Sequence, residues 1–142
     1  MSENHIRGIS STLTLLDEDL CEFDQWAKGH EVRSVLYEVR NTLSASQRQQ
    51  IAELVAKMHV MLRELHDTLR LEGGVHKVDK MIVSSCAVLW VSLVELESGR
   101  LRRYGEVPPG LAEYLDPKVA FLNENLRRIS QIANEAARRR LG

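Results

Sequence analysis

The chain has 142 residues, 44% of them apolar and 27% charged, which suits one domain with a real hydrophobic core and excludes a disordered chain. A net charge of −1 gives no electrostatic reason to expect a nucleic acid partner. The N-terminus, MSENHIRG, lacks the basic start and apolar stretch of a secretion signal, so a cytoplasmic location is expected.

The first periodic stretch runs Ile9, Leu13, Leu16, Leu20, Phe23, Ala27, and its alternating spacing of four and three predicts a helix. Gly29 interrupts it. Val32, Val35, Leu36, Val39 and Leu43 would point about 80–180° away from that seam if the helix continued unbroken. The first helix is therefore expected to bend or break near Gly29, because glycine weakens a helix interior by about 1 kcal/mol relative to alanine. A continuous helix is the other option, and it would set the 32–43 face against a second subunit.

Residues 41–46 read as a polar connection. Ser46 and Gln49 have the spacing of a capping box, with Leu43 as the apolar residue ahead of it. The next helix has the clearest pattern: Ile51, Leu54, Val55, Met58, Met61, Leu62, Leu65 and Leu69 fall within an arc of about 120°. Gly73-Gly74 is its expected stop.

Residues 81–94, MIVSSCAVLWVSLV, carry no charge, and Lys80 and Glu95 bound them. Their apolar side chains point all around a helix, so other helices are expected to cover them on every side. The β-branched residues suggest a strand, but the length of the segment and the lack of a pairing partner favour a helix over 77–104. The uncharged run is shorter than the roughly 18 residues needed to span a membrane. After the Val-Pro-Pro-Gly of 107–110, a helical turn fits 111–115. Asp116-Pro117 then has the form of a fresh helix start, with Asp as cap. Val119, Leu122, Leu126, Ile129, Ala133 and Ala136 supply the last stripe, and Arg138, Arg139 and Arg140 suit its carbonyl end.

The expected fold is all-α: a single domain over 1–142, built as an antiparallel up-down helical bundle of four long helical stretches. The apolar faces exceed what one bundle needs. An interaction face made of Val32, Val35, Leu36, Val39, Val83, Trp90, Val91 and Val94 is therefore expected to bind a second copy, as a homodimer, or another protein's helix.

Residues with a chemical role are harder to find. His59 and His66 are seven apart, about 10.5 Å along a helix axis, too far to share one metal ion. No Glu-x-x-His pair supports a di-iron centre. Neither Cys21 nor Cys86 has a His or second Cys near it in sequence, so no metal and no cofactor is expected. There is no nucleophile elbow and no phosphate-cradling loop. The sequence therefore reads as a non-enzymatic interaction or regulatory module. The alternative is an interhelical pocket for a small molecule, lined by His59, His66 and Tyr37 with Trp90 nearby.

Overall fold

The computed structural model describes residues 2–141. Five α-helices account for most of the chain: α1 (Glu3–Ala27), α2 (Ala45–Leu69), α3 (Val78–Val94), α4 (Ser98–Leu101) and α5 (Leu111–Leu141). Two two-residue strands, β1 (Val32–Arg33) and β2 (Glu38–Val39), and a 3-10 turn make up the rest of the regular structure among the described residues. The chain divides into two compact units, Met1–Gly74 and Val75–Gly142.

In the first unit α1 packs on α2. Ser2 caps α1, its hydroxyl accepting from the His5 amide at 3.2 Å. At the other end the His30 amide donates to the Gln25 carbonyl at 3.1 Å, and the Gly29 amide to that of Trp26 at 3.0 Å. With Gly29 at φ +89° this is a complete Schellman stop, which glycine permits because it has no Cβ to clash in the left-handed region.

The break at Gly29 is thus present, but a second helical arm over 32–43 is not. Val32 pairs with Val39 and Arg33 with Glu38, antiparallel. The Ser34 amide donates to the Tyr37 carbonyl at 3.0 Å, leaving Val35 and Leu36 at the turn. Asn41 pins this excursion to the helix end. Its side-chain amide donates to the carbonyls of Trp26 at 2.7 Å and His30 at 3.3 Å, and its backbone amide donates to the Glu31 carboxylate at 2.9 Å. Three valines among so few residues favour the extended backbone.

The start of α2 is a capping box two residues earlier than the sequence spacing suggested. Ser44 Oγ accepts from the Gln47 amide at 3.1 Å, and Gln47 Oε1 accepts from the Ser44 amide at 2.9 Å. Its end also comes early, four residues before Gly73. Arg70 takes the left-handed conformation (φ 54°, ψ 50°), and the Leu71 amide donates back to the His66 carbonyl at 3.2 Å. The turn folds Leu71 inward, where it joins Leu20 and Val55 as the buried residues of this unit.

In the second unit α3 packs on α5, and α4 also touches α5. The helix expected over 77–104 stops at Val94. Glu97 is extended (φ −62°, ψ 144°), and a short helix and a 3-10 turn (Arg102–Tyr104) follow. Glu95 holds this corner through Arg100 at 3.3 Å and Arg103 at 3.6 Å. The Asp116-Pro117 start is overridden as well: α5 begins at Leu111 and carries Pro117 inside it. Its first turn is seeded upstream, where the Leu111 amide donates to the Pro108 carbonyl and the Tyr114 amide to that of Gly110, each at 3.2 Å. Cys86, Val119 and Ala133 are the buried apolar residues here.

Within a single chain the cover expected on every side of 81–94 is incomplete. Cys86 faces α5 and is buried, but Met81, Val88, Leu89, Trp90 and Val91 are exposed. One antiparallel neighbour covers one stripe of a helix, and α3 has apolar residues on the other stripes too.

Candidate functional site

The antiparallel register of α1 and α2 decides which side chains meet in the first unit. Leu20 and Val55 are its buried anchors. Asp17 and Cys21, one turn apart on α1, share a face because residues at i and i+4 are neighbours on a helix. His59 stands one turn beyond Val55. The three converge: one ligand atom from each of Asp17, Cys21 and His59 lies within 4.8 Å of the others. His59 Nε2 is 3.2 Å from Asp17 Oδ1. The His59 side chain is half-buried, and those of Asp17 and Cys21 are exposed. This is a carboxylate oxygen, a thiol sulfur and an imidazole nitrogen on two helices facing a common point.

The sequence put no His near either cysteine along the chain, and 37 intervening residues hide the pairing. The available clue was positional. Asp17 and Cys21 flank one side of the Leu16–Leu20 seam, and His59 flanks the stripe of its own helix, but the hairpin register that brings them together is written in no local pattern.

Beside the cluster, Asp17 also lines a small cleft of about 90 Å³ with Ser10, Thr14, Leu62, His66, Leu71 and Glu72. His66 pairs with the adjacent Asp67 at 3.0 Å. Of the histidines expected to line a pocket, His66 lines this cleft and His59 does not. Tyr37 does not line it either. It sits in the β1–β2 turn at the other end of the helix pair, more than about 25 Å from His66 along α2. The cleft is also well below the roughly 300 Å³ of an ordinary small-molecule pocket.

The residues expected to form an interaction face separate by unit. Val35 and Leu36 are almost fully exposed (93% and 94%), with Val32 and Val39 partly so. On α3, Trp90 and Val91 are exposed, and Val83 and Val94 are half-buried. Met81, Val88 and Val91 all lie within about 40° of the pole opposite Cys86 when placed at helical spacing. Along the seam of α3 and α5, Val78, Ile82, Ile129, Ile132, Ala133 and Ala136 form an apolar groove of about 650 Å³, with Lys77 and Asp79 at its rim.

No helix among the described residues is long and apolar enough to cross a membrane. No family model, curated protein or solved structure matches the chain.

Proposed function

We propose that this protein is a non-enzymatic helical interaction module that works as a two-fold dimer, its second unit covered by the same unit of another copy. The observation that carries this is the apolar outer side of α3. Val88 is 68% exposed and Val91 59%, on the helix whose sequence is apolar all round. Soluble monomers rarely leave contiguous apolar patches larger than a few hundred Å² in water. Phe121, Leu122, Ile129 and Ile132 extend the exposed apolar surface onto α5.

A second copy is favoured as the occupant because one apolar face can cover its own duplicate. The apolar groove and the apolar outer side of α3 belong to the same unit, so a copy turned about a two-fold axis meets them with the same apolar patch. Such self-complementarity is what a two-fold contact requires. We place the protein in the cytoplasm, where Cys21 and Cys86, both free, would stay reduced.

Sedimentation velocity of the full chain at tens of micromolar tests the proposal. The wild type should run as a dimer and Val88→Glu as a helical monomer. A monomeric wild type refutes the reading, and a Val88→Glu dimer removes α3 from the interface.

A further inference from the structure

We propose that Asp17, Cys21 and His59 bind a zinc ion that clips α1 to α2. An ion pair between Asp17 and His59 would by itself be an ordinary surface contact. Cys21 makes the difference, because it brings a soft sulfur donor to the point where an oxygen and a nitrogen already meet. Free cysteines are among the most buried residues in proteins, yet this one is exposed beside the cluster. All three donor types are zinc ligands, at about 2.0–2.3 Å from the metal. Around a tetrahedral ion those bond lengths place donors about 3.3–3.8 Å apart. The Asp17–His59 pair is already at 3.2 Å, and no separation in the cluster exceeds 4.8 Å. Rotation of an exposed Cys21 side chain spans the remaining gap of about 1 Å.

The spacing has its own logic. Two ligands at i and i+4 on one helix with a third from elsewhere is how helical zinc sites are commonly assembled. Three protein donors leave a fourth position for water or an outside ligand, the coordination of catalytic rather than of closed structural zinc sites. Binding is balanced in protons. The ion takes the place of the thiol proton of Cys21 and of any proton held by His59 Nε2, and these are released to solvent. The site lies inside one helix pair, so metal binding does not depend on dimer formation.

Cobalt(II) titration of the reduced full chain tests it, followed by the thiolate-to-cobalt charge-transfer band in the near ultraviolet. The expected result is one ion per chain with that band in the wild type and in Cys86→Ala. Cys21→Ser should lose the band while keeping the helical circular dichroism of the wild type. His59→Gln and Asp17→Asn should weaken binding at least about 100-fold, since even outer-shell partners of a metal ligand are worth about 10–100-fold. Zinc should also raise the melting temperature of the wild type and not that of Cys21→Ser. A wild type without the band, or a band that survives Cys21→Ser, overturns the site. A band with no zinc-dependent rise in melting temperature overturns the clip.

Discussion

His59 Nε2 stands 3.2 Å from Asp17 Oδ1, so a single pair joins the midpoint of α2 to the midpoint of α1. Both groups are at least partly wet, and an exposed pair of this kind contributes about 0.2–1 kcal/mol. In chelator-treated protein, a double-mutant cycle of Asp17→Asn and His59→Gln should give a coupling energy in that range. Denaturant melts of the four variants measure it.

Arg70 ends α2 in the left-handed region at φ 54°, a conformation that costs an L-residue with a Cβ about 1–2 kcal/mol. Arg70→Gly removes that strain and keeps the backbone bond that tucks Leu71 in. Part of the gain is offset by the greater freedom of glycine in the unfolded chain. A net stabilisation of about 1 kcal/mol is expected, seen as a higher urea midpoint with an unchanged slope.

Pro117 lies inside α5 and has no amide hydrogen to give to the Glu113 carbonyl one turn earlier. Pro117→Ala restores that donor. Against this, alanine gives the unfolded chain more freedom than proline does. The variant should be more stable by about 1–2 kcal/mol in thermal or denaturant melts.

The same proline explains one limit of reading this sequence. Asp116-Pro117 has every local feature of a helix start, yet Leu111, Ala112 and Leu115 are half-buried and the helix runs through. Packing outweighed the local preference there. The long stripes on α1 and α2 were legible because a 3.6-residue period repeats over many turns, and so was the break at Gly29. The β1–β2 excursion was not. Its turn residues, Val35 and Leu36, carry none of the Asn-Gly or Gly chemistry that marks a tight hairpin, and five apolar residues in twelve imitate a helical stripe. Of the site, the place of His66 at the edge of its stripe was legible. The meeting of Cys21 with His59 was not, because it depends on a register that no local pattern records.

Asn123 Oδ1 is buried on α5 without a hydrogen-bond partner among the described residues. An unsatisfied buried polar atom costs about 1–3 kcal/mol, whereas an apolar group of similar shape has nothing to satisfy. Asn123→Leu should stabilise the protein by about 1 kcal/mol, read from the shift in the denaturant midpoint.

Glu124 and Arg127 pair across one turn of α5. The hydrogen bond from Arg127, reinforced by the charges of Arg127 and Arg128, holds the Glu124 carboxyl below its ordinary value of 4.5. A carboxylate depressed on folding adds stability that is present above its unfolded value and disappears as pH falls through the folded one. Glu124→Gln should therefore be less stable than wild type at neutral pH, and the gap should close on acidification. A gap that stays constant from about pH 7 to pH 3 would contradict this account.

The β1–β2 ladder has two rungs, Val32 with Val39 and Arg33 with Glu38, and the side chains at its tip stand in water. An open strand edge invites a stranger's backbone in proportion to its length. This edge is so short that an incoming segment could gain only a bond or two, and the charges of Arg33 and Glu38 sit on half of its positions. The protein can therefore hold Val35 and Leu36 out in solvent without offering a template on which fibres would grow.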